Sequence, residues 1–245
     1  FKKCPRCFYL KIVKGFQEPG MPQFKLNELT DTLLKKEFDQ CRKDQKPHRK
    51  FIEKGLDHIV PYDAGLTIIK NSKGEEKKLP LIDVWRDAKH HGLKCRFKDT
   101  NIILRGGIDD IWFNKKTKEL IVVDYKSQAS SKEVSQDTYF PKGGFHDSYK
   151  TQLNFYAYLI KGLNLKYKIS DDSYLYVVNG LEVEKGFNGK IIFSETLIHH
   201  KVETDYLDGE IQEMINTINS NKIPTSNKSC KNCAYSRQRS VIDTL

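Results

Sequence analysis

The chain has 245 residues, 38% hydrophobic and 30% charged, which is enough for one well-buried α/β core and does not suit a disordered protein. No apolar run approaches the roughly 20 residues that a membrane helix needs, and no signal-peptide pattern is present, so a soluble protein of the cytoplasm is expected. Lys and Arg outnumber Asp and Glu by 42 to 32, and a net charge of +10 makes nucleic acid the first expected partner and an anionic membrane surface the second. The lysines are scattered, however, and a solvated basic face explains them equally well.

The first feature in chain order is Cys4-Pro-Arg-Cys7, which has a counterpart at the other end in Cys230-Lys-Asn-Cys233. In a lysine-rich chain without a secretion signal, two such pairs point to metal ligation more than to disulfides. Two knuckles of this kind suit one tetrahedral, four-thiolate Zn²⁺ site that clamps the chain ends together. Cys41 and Cys95 stand alone and are expected to be inert thiols.

After a loop marked by Pro19, Gly20 and Pro22, the spacing of Leu29, Leu33, Leu34, Phe38 and Cys41 predicts a helix from about Asn27 to Arg42. The stretch from Gln45 to Arg96 mixes short helix-like and strand-like pieces with a Lys-rich turn at Asn71 to Lys78. Asn101 to Phe113 and Leu120 to Lys126 are β-rich runs joined by the polar turn Asn114–Lys118, which predicts a hairpin. A long polar loop carries Lys142, Gly143 and Gly144 near its end. A helix from Ser148 to Leu163 follows, then strands at Ser173–Val178 and Lys190–Phe193. A last amphipathic helix carries Ile211, Met214, Ile215 and Ile218, and Pro224 closes that region. Strands interspersed with helices indicate an α/β domain with a central mixed sheet, read as a single domain over residues 1–245.

The hairpin holds the chemistry. In Leu120-Ile-Val-Val-Asp124-Tyr-Lys126 a period of two places Asp124 and Lys126 on one face and Tyr125 on the other. Carboxylates that hold a divalent metal, with a cation near an attacking water, suit phosphodiester hydrolysis. A plain strand-end salt bridge is the alternative. On the partner strand Gly106 and Gly107 leave room for a close backbone approach, here expected to be that of a nucleic acid. The adjacent Asp109 and Asp110 point to opposite faces, and the pattern alone does not choose between them.

Gly106-x-Ile108-Asp109-x-Ile111, a short turn and Val122-Val-Asp124-Tyr-Lys126 together resemble the core of the PD-(D/E)XK nuclease superfamily. The RecB-type branch is the nearest, with the AddB nuclease domain and the cysteine-cluster exonucleases of CRISPR systems. The resemblance implies a restriction-endonuclease-like fold and a metal-dependent DNA nuclease, an exonuclease by branch. It selects Asp109 as metal ligand beside Asp124 and the Tyr125 carbonyl, with Mg²⁺ or Mn²⁺ as the ion and Lys126 as the catalytic cation. The family's Gln-x-x-x-Tyr is matched by Gln152 and Tyr156, whose spacing puts both on one helix face. The family's upstream Gly-x-x-x-His is not matched. Asn27-x-x-x-Asp31 is the nearest counterpart, so Asp31 would replace the histidine as an oxygen ligand.

Asp31 is also readable as a helix-start acid favoured by the helix dipole. His48, His90 and His91 are further candidates that lack the expected surroundings. Cys4-Pro-Arg-Cys7-Phe-Tyr-Leu resembles the opening of the same branch, where the cysteines hold an iron–sulfur cluster, so Zn²⁺ has a cluster as its alternative here. DNA is the implied partner, with proteins of a repair, CRISPR or mobile-element complex beyond it and no membrane. Two other readings are a nucleic-acid-binding module that has lost turnover and, from the cysteines alone, a redox protein.

Overall fold

The computed structural model describes residues 1–17, 20, 24–70, 73–141, 144, 146–184 and 186–242. Pro19, Pro22, Asn71, Lys142 and Gly143, singled out above as loop or turn markers, lie outside them. In chain order the elements are α1 (Pro5–Val13), α2 (Lys25–Asp44), α3 (Arg49–Glu53), β1 (Ile59–Pro61), β2 (Leu66–Lys70), β3 (Glu76–Pro80), α4 (Leu81–Arg86), β4 (Leu93–Arg96) and β5 (Ile103–Gly106). There follow β6 (Asp110–Asn114), β7 (Glu119–Ala129), α5 (Gln136–Tyr139), α6 (Asp147–Lys161), β8 (Ile169–Leu181), β9 (Ile192–Lys201), α7 (Leu207–Ile218) and α8 (Lys231–Ile242). They fall into two compact units, Phe24–Thr204 and the two terminal segments Phe1–Gln23 and Asp205–Leu245.

In the larger unit five strands form a mixed sheet in the order β1-β6-β7-β8-β9. Only the β7–β8 pair is parallel, and α6 lies in the crossover between those two strands. The run Leu120–Tyr125 is apolar at nearly every position because both its faces are covered. Leu120 and Val122 pack with Leu153, Ala157 and Ile160 of α6. Ile121, Val123 and Tyr125 pack with Leu34 and Phe38 of α2 and Phe51 of α3. A strand covered on both faces loses the polar–apolar alternation of a half-exposed one. Each fully buried side chain of this size contributes about 1.5–3 kcal/mol, so the β7 run anchors the sheet to both helical layers. The central mixed sheet with flanking helices is the architecture that the family resemblance implies.

The β6–β7 hairpin turns at Lys115–Lys118. Asn114 Oδ1 accepts the backbone N–H groups of Lys116 and Thr117 at 2.9 and 3.1 Å, and Lys118 adopts a φ of 60°. The predicted first strand, Asn101–Phe113, is in fact two. β5 pairs with β4 in a separate ribbon, and the chain leaves strand geometry at Gly107–Asp109 before β6 joins the sheet. The two glycines are required by packing within the protein. A Cβ on Gly106 would meet Leu159 Cδ1 at 2.9 Å, and one on Gly107 would meet the Ala88 Cβ at 2.5 Å.

The predicted apolar face of α2 is also corrected. Leu29 and Leu33 are exposed, at 54% and 56%, while Leu34, Phe38 and Arg42 turn inward. The strand expected at Lys190–Phe193 starts at Ile192 and runs to Lys201, and α8 was not foreseen.

In the smaller unit α1 opens with Pro5, whose missing N–H costs nothing in a first turn. Tyr9 donates its hydroxyl to Ser220 O at 3.0 Å, and Lys2 pairs with Glu210 at 2.7 Å, so the first residues of the chain are held against its C-terminal segment.

Candidate functional site

Asp124 lies on β7 next to the α6 layer and is only 1% exposed. Lys126, two residues on, shares that face and forms an ion pair with it. The Lys126 ammonium also donates to Gln152 Oε1 at 3.1 Å, and Gln152 Nε2 donates to the Tyr156 hydroxyl at 2.8 Å. Gln152 and Tyr156 stand four apart on α6, so one helix face presents the amide and phenol to the strand. The ring of Tyr149, a residue that the pattern reading did not single out, lies 4.5 Å from the ammonium. Burial and the charge of Asp109 push the Asp124 carboxyl above the usual carboxylate range, against the pull of Lys126.

The two adjacent aspartates have separate surroundings. Asp109 Oδ2 accepts the backbone N–H of Tyr125 at 2.9 Å, and its Oδ1 accepts from Lys35 Nζ at 3.2 Å. Asp110 faces the α2 layer and is fully buried. Its Oδ1 accepts from Arg42 at 2.5 Å, its Oδ2 accepts from the Tyr125 hydroxyl at 2.6 Å, and Arg86 stands 3.7 Å away. Arg86 in turn donates to Asp109 O at 2.8 Å and to Asp39. Asp110 is therefore spent on a buried ion cluster beneath the site, which leaves Asp109 as the carboxylate beside Asp124.

Asp31 reaches the same place through Lys35, whose ammonium lies 2.8 Å from Asp31 Oδ2. Burial disfavours the Lys35 charge, but Asp109 and Asp31 outweigh it and hold the ammonium above its ordinary value. Asp31 belongs to the second turn of α2, whose first-turn acid is Glu28, so it is poorly placed for the dipole role. The histidines lie elsewhere. His48 is buried, stacked on Phe38, and its Nε2 is 2.8 Å from Glu37; exposed His90 pairs with Asp87 at 3.0 Å, and the His91 ring lies 6.4 Å from that of His90.

The donor set fits a hard divalent ion. Asp109 and Asp124 are carboxylates close enough for one charge to disfavour the other, and a cation between them would relieve that conflict. Asp31, Asp109 and Asp124 do not converge on a point by themselves. Among the described residues, the four cysteines are the one group of three or more His, Cys, Asp or Glu side chains whose ligand atoms all lie within 4.8 Å.

That group is Cys4, Cys7, Cys230 and Cys233, in the smaller unit. Sγ separations are 3.8 Å for Cys4–Cys233, 3.6 Å for Cys7–Cys230 and 3.5 Å for Cys7–Cys233. Burial opposes ionisation of Cys4, but backbone N–H groups of Cys7 and Asn227 bring its thiol down to about 6. Burial and the neighbouring cysteines hold Cys7 up. Crowded thiols of this kind ionise together only with a cation among them, so the donor set fits a thiophilic metal. Cys95 is buried and Cys41 partly so, and burial raises both thiols, as inert cysteines require.

A model of the PD-(D/E)XK nuclease superfamily matches residues 1–238. No curated protein matches the chain. Among the described residues, no helix is long and apolar enough to cross a membrane.

Proposed function

The chain belongs to the PD-(D/E)XK nuclease superfamily, and from that premise we propose that it is a Mg²⁺- or Mn²⁺-dependent deoxyribonuclease of the RecB-type branch, acting as an exonuclease. The observation that carries this reading is the connected set Asp109, Asp124, Lys126, Gln152 and Tyr156 around the middle of β7. Asp109 and Asp124 would hold the metal together with the Tyr125 carbonyl, and Asp31 is the proposed upstream oxygen ligand. When bound, the ion polarises the scissile phosphate and lowers the pKa of a water.

The protein's own side chains do the rest. Lys126 orients the attacking water and offsets negative charge as it develops on the phosphate. Gln152 fixes the ammonium through its carbonyl oxygen, and Tyr156 fixes Gln152 in turn, so the cation is held before substrate arrives. Asp110, Arg42 and Arg86 hold Tyr125 and the main chain at Asp109 in place from the opposite face. The net charge of +10 favours a polyanion, read here as DNA.

At the chain ends we propose structural Zn²⁺. A tetrahedron with Zn–S bonds of about 2.3 Å has edges of about 3.8 Å. The Sγ separations of 3.5–3.8 Å support a single ion over an iron–sulfur cluster, whose thiolates bind different irons. We read residues 1–245 as one nuclease domain of a cytoplasmic protein with partners in DNA repair, CRISPR adaptation or a mobile element. The family match across both units supports the single domain.

The test is a cleavage assay on end-labelled single-stranded, duplex and circular DNA with Mg²⁺, Mn²⁺ or EDTA. Metal-dependent loss of linear but not circular substrate is expected. No cleavage of any substrate, with retained DNA binding, would favour the alternative of a binding module. The observation on that side is the unmatched upstream histidine motif, whose nearest counterpart, Asp31, is held by Lys35.

A further inference from the structure

We propose that Lys35 is a tethered cation that competes with the divalent ion for Asp31 and Asp109, and thereby sets how tightly the hairpin holds its metal. This rests on the reading of Asp109 as a metal ligand. Lys35 Nζ lies 2.8 Å from Asp31 Oδ2 and 3.2 Å from Asp109 Oδ1. The first contact is local, one turn along α2. The second reaches the loop before β6, 74 residues away in sequence, and is made only in the folded chain. The Lys35 side chain is 23% exposed and Asp109 24%, so water screens the pair less than it screens an open surface salt bridge.

Each Asp109 oxygen already has a donor. Oδ2 is taken by the Tyr125 N–H and Oδ1 by the ammonium. A divalent ion that takes Oδ1 meets a like charge at contact distance, and two cations on one carboxylate oxygen repel. Asp31 Oδ2 is held by the same ammonium, so an ion that takes this oxygen either displaces Lys35 or meets its charge. Loss of the Lys35 charge therefore frees two ligands and removes one repulsion, and both effects tighten binding of the ion. The position has no such meaning in the sequence, where Lys35 is one of many scattered lysines.

The test titrates the full chain, with its cysteine site as purified, with Mn²⁺, a hard ion with little affinity for thiolates. Calorimetry gives affinity and stoichiometry, and the paramagnetic resonance signal of free Mn²⁺ checks them. Lys35→Gln and Lys35→Ala should each bind Mn²⁺ about tenfold tighter than the parent, while Lys35→Arg, which keeps the charge, should bind like the parent. Melting curves establish that each variant is folded, and the two neutral variants guard against a folding defect in one. Equal affinity in the parent and both neutral variants would overturn the role of Lys35 and leave the metal site standing. Mn²⁺ binding that Asp109→Ala leaves unchanged would instead overturn the metal-site reading, and this inference with it.

Discussion

The Tyr125 hydroxyl donates to Asp110 Oδ2 at 2.6 Å, on the face of the sheet away from Asp124. That bond divides the two adjacent aspartates by their work. Asp110, together with Asp39, balances Arg42 and Arg86, whose side chains are themselves withdrawn from water. Removal of one partner from a buried charge cluster leaves the others uncompensated, so Asp110→Ala should lose about 3–5 kcal/mol of stability. Asp109 is partly exposed, and Asp109→Ala should lose less than about 1 kcal/mol while abolishing cleavage. Urea unfolding of the two variants checks this, and equal losses would contradict the division.

Asp124→Asn and Lys126→Ala should each lower the cleavage rate at least about 100-fold, with circular dichroism unchanged. Lys126→Arg should not restore the rate. The guanidinium is a planar fork and cannot reproduce a compact ammonium held by Asp124 and Gln152. Gln152→Ala leaves the ammonium without its amide acceptor and should cost about 10- to 100-fold by displacing it. Single-turnover cleavage of end-labelled DNA gives these numbers, and a Lys126→Ala variant as fast as the parent would remove Lys126 from the reaction.

Metal removal should act on the chain ends first. The four thiols stitch α1 to the start of α8, and binding of a structural ion contributes directly to folding. A thiophilic chelator should raise amide exchange in residues 1–17 and 205–242 before it does so in β7, and release about one zinc per chain by metal analysis. Exchange that rises in β7 first would place the ion's structural role elsewhere.

The sheet was legible where burial is one-sided or complete, and obscure where partners are remote. Val122-Val-Asp-Tyr-Lys126 declares a strand that is apolar until its chemistry begins. Asp109 could be told from Asp110 only through the family pattern, because the distinction lies in Arg42 and Arg86, far off in the chain. The contact of Lys35 with Asp109 is hidden in the sequence for the same reason. β9 extends beyond its apolar start because Ser194, Glu195, His199 and His200 lie on an edge strand, where polar side chains are tolerated. α8 buries only Cys233 and so lacks an apolar stripe to read. Leu29 and Leu33 form a heptad-like stripe that resembles a buried face, whereas the inward face of α2 carries Lys35 and Arg42 beside Leu34 and Phe38.

Stability should fall as the pH drops from about 6.5 towards 4, and two histidines are the reason. Burial lowers His200 from 6.5 to about 4, with the positive charges of Lys150 and His199 adding to it. Its Nε2 lies 2.8 Å from Asn154 Oδ1, a carbonyl oxygen that satisfies a neutral imidazole donor. Burial also lowers His48, although Glu37 pulls the other way. The folded state thus holds these rings neutral at pH values where the unfolded chain protonates them. The unfolded state binds more protons, so the contribution is intact above the unfolded value of about 6.5 and is lost as pH falls through the folded one. Urea unfolding at half-unit steps from pH 7 to 4.5 should show the decline. His200→Gln keeps a donor for Asn154 without a titrating ring and should flatten that curve; an unchanged slope in this variant would remove His200 from the account.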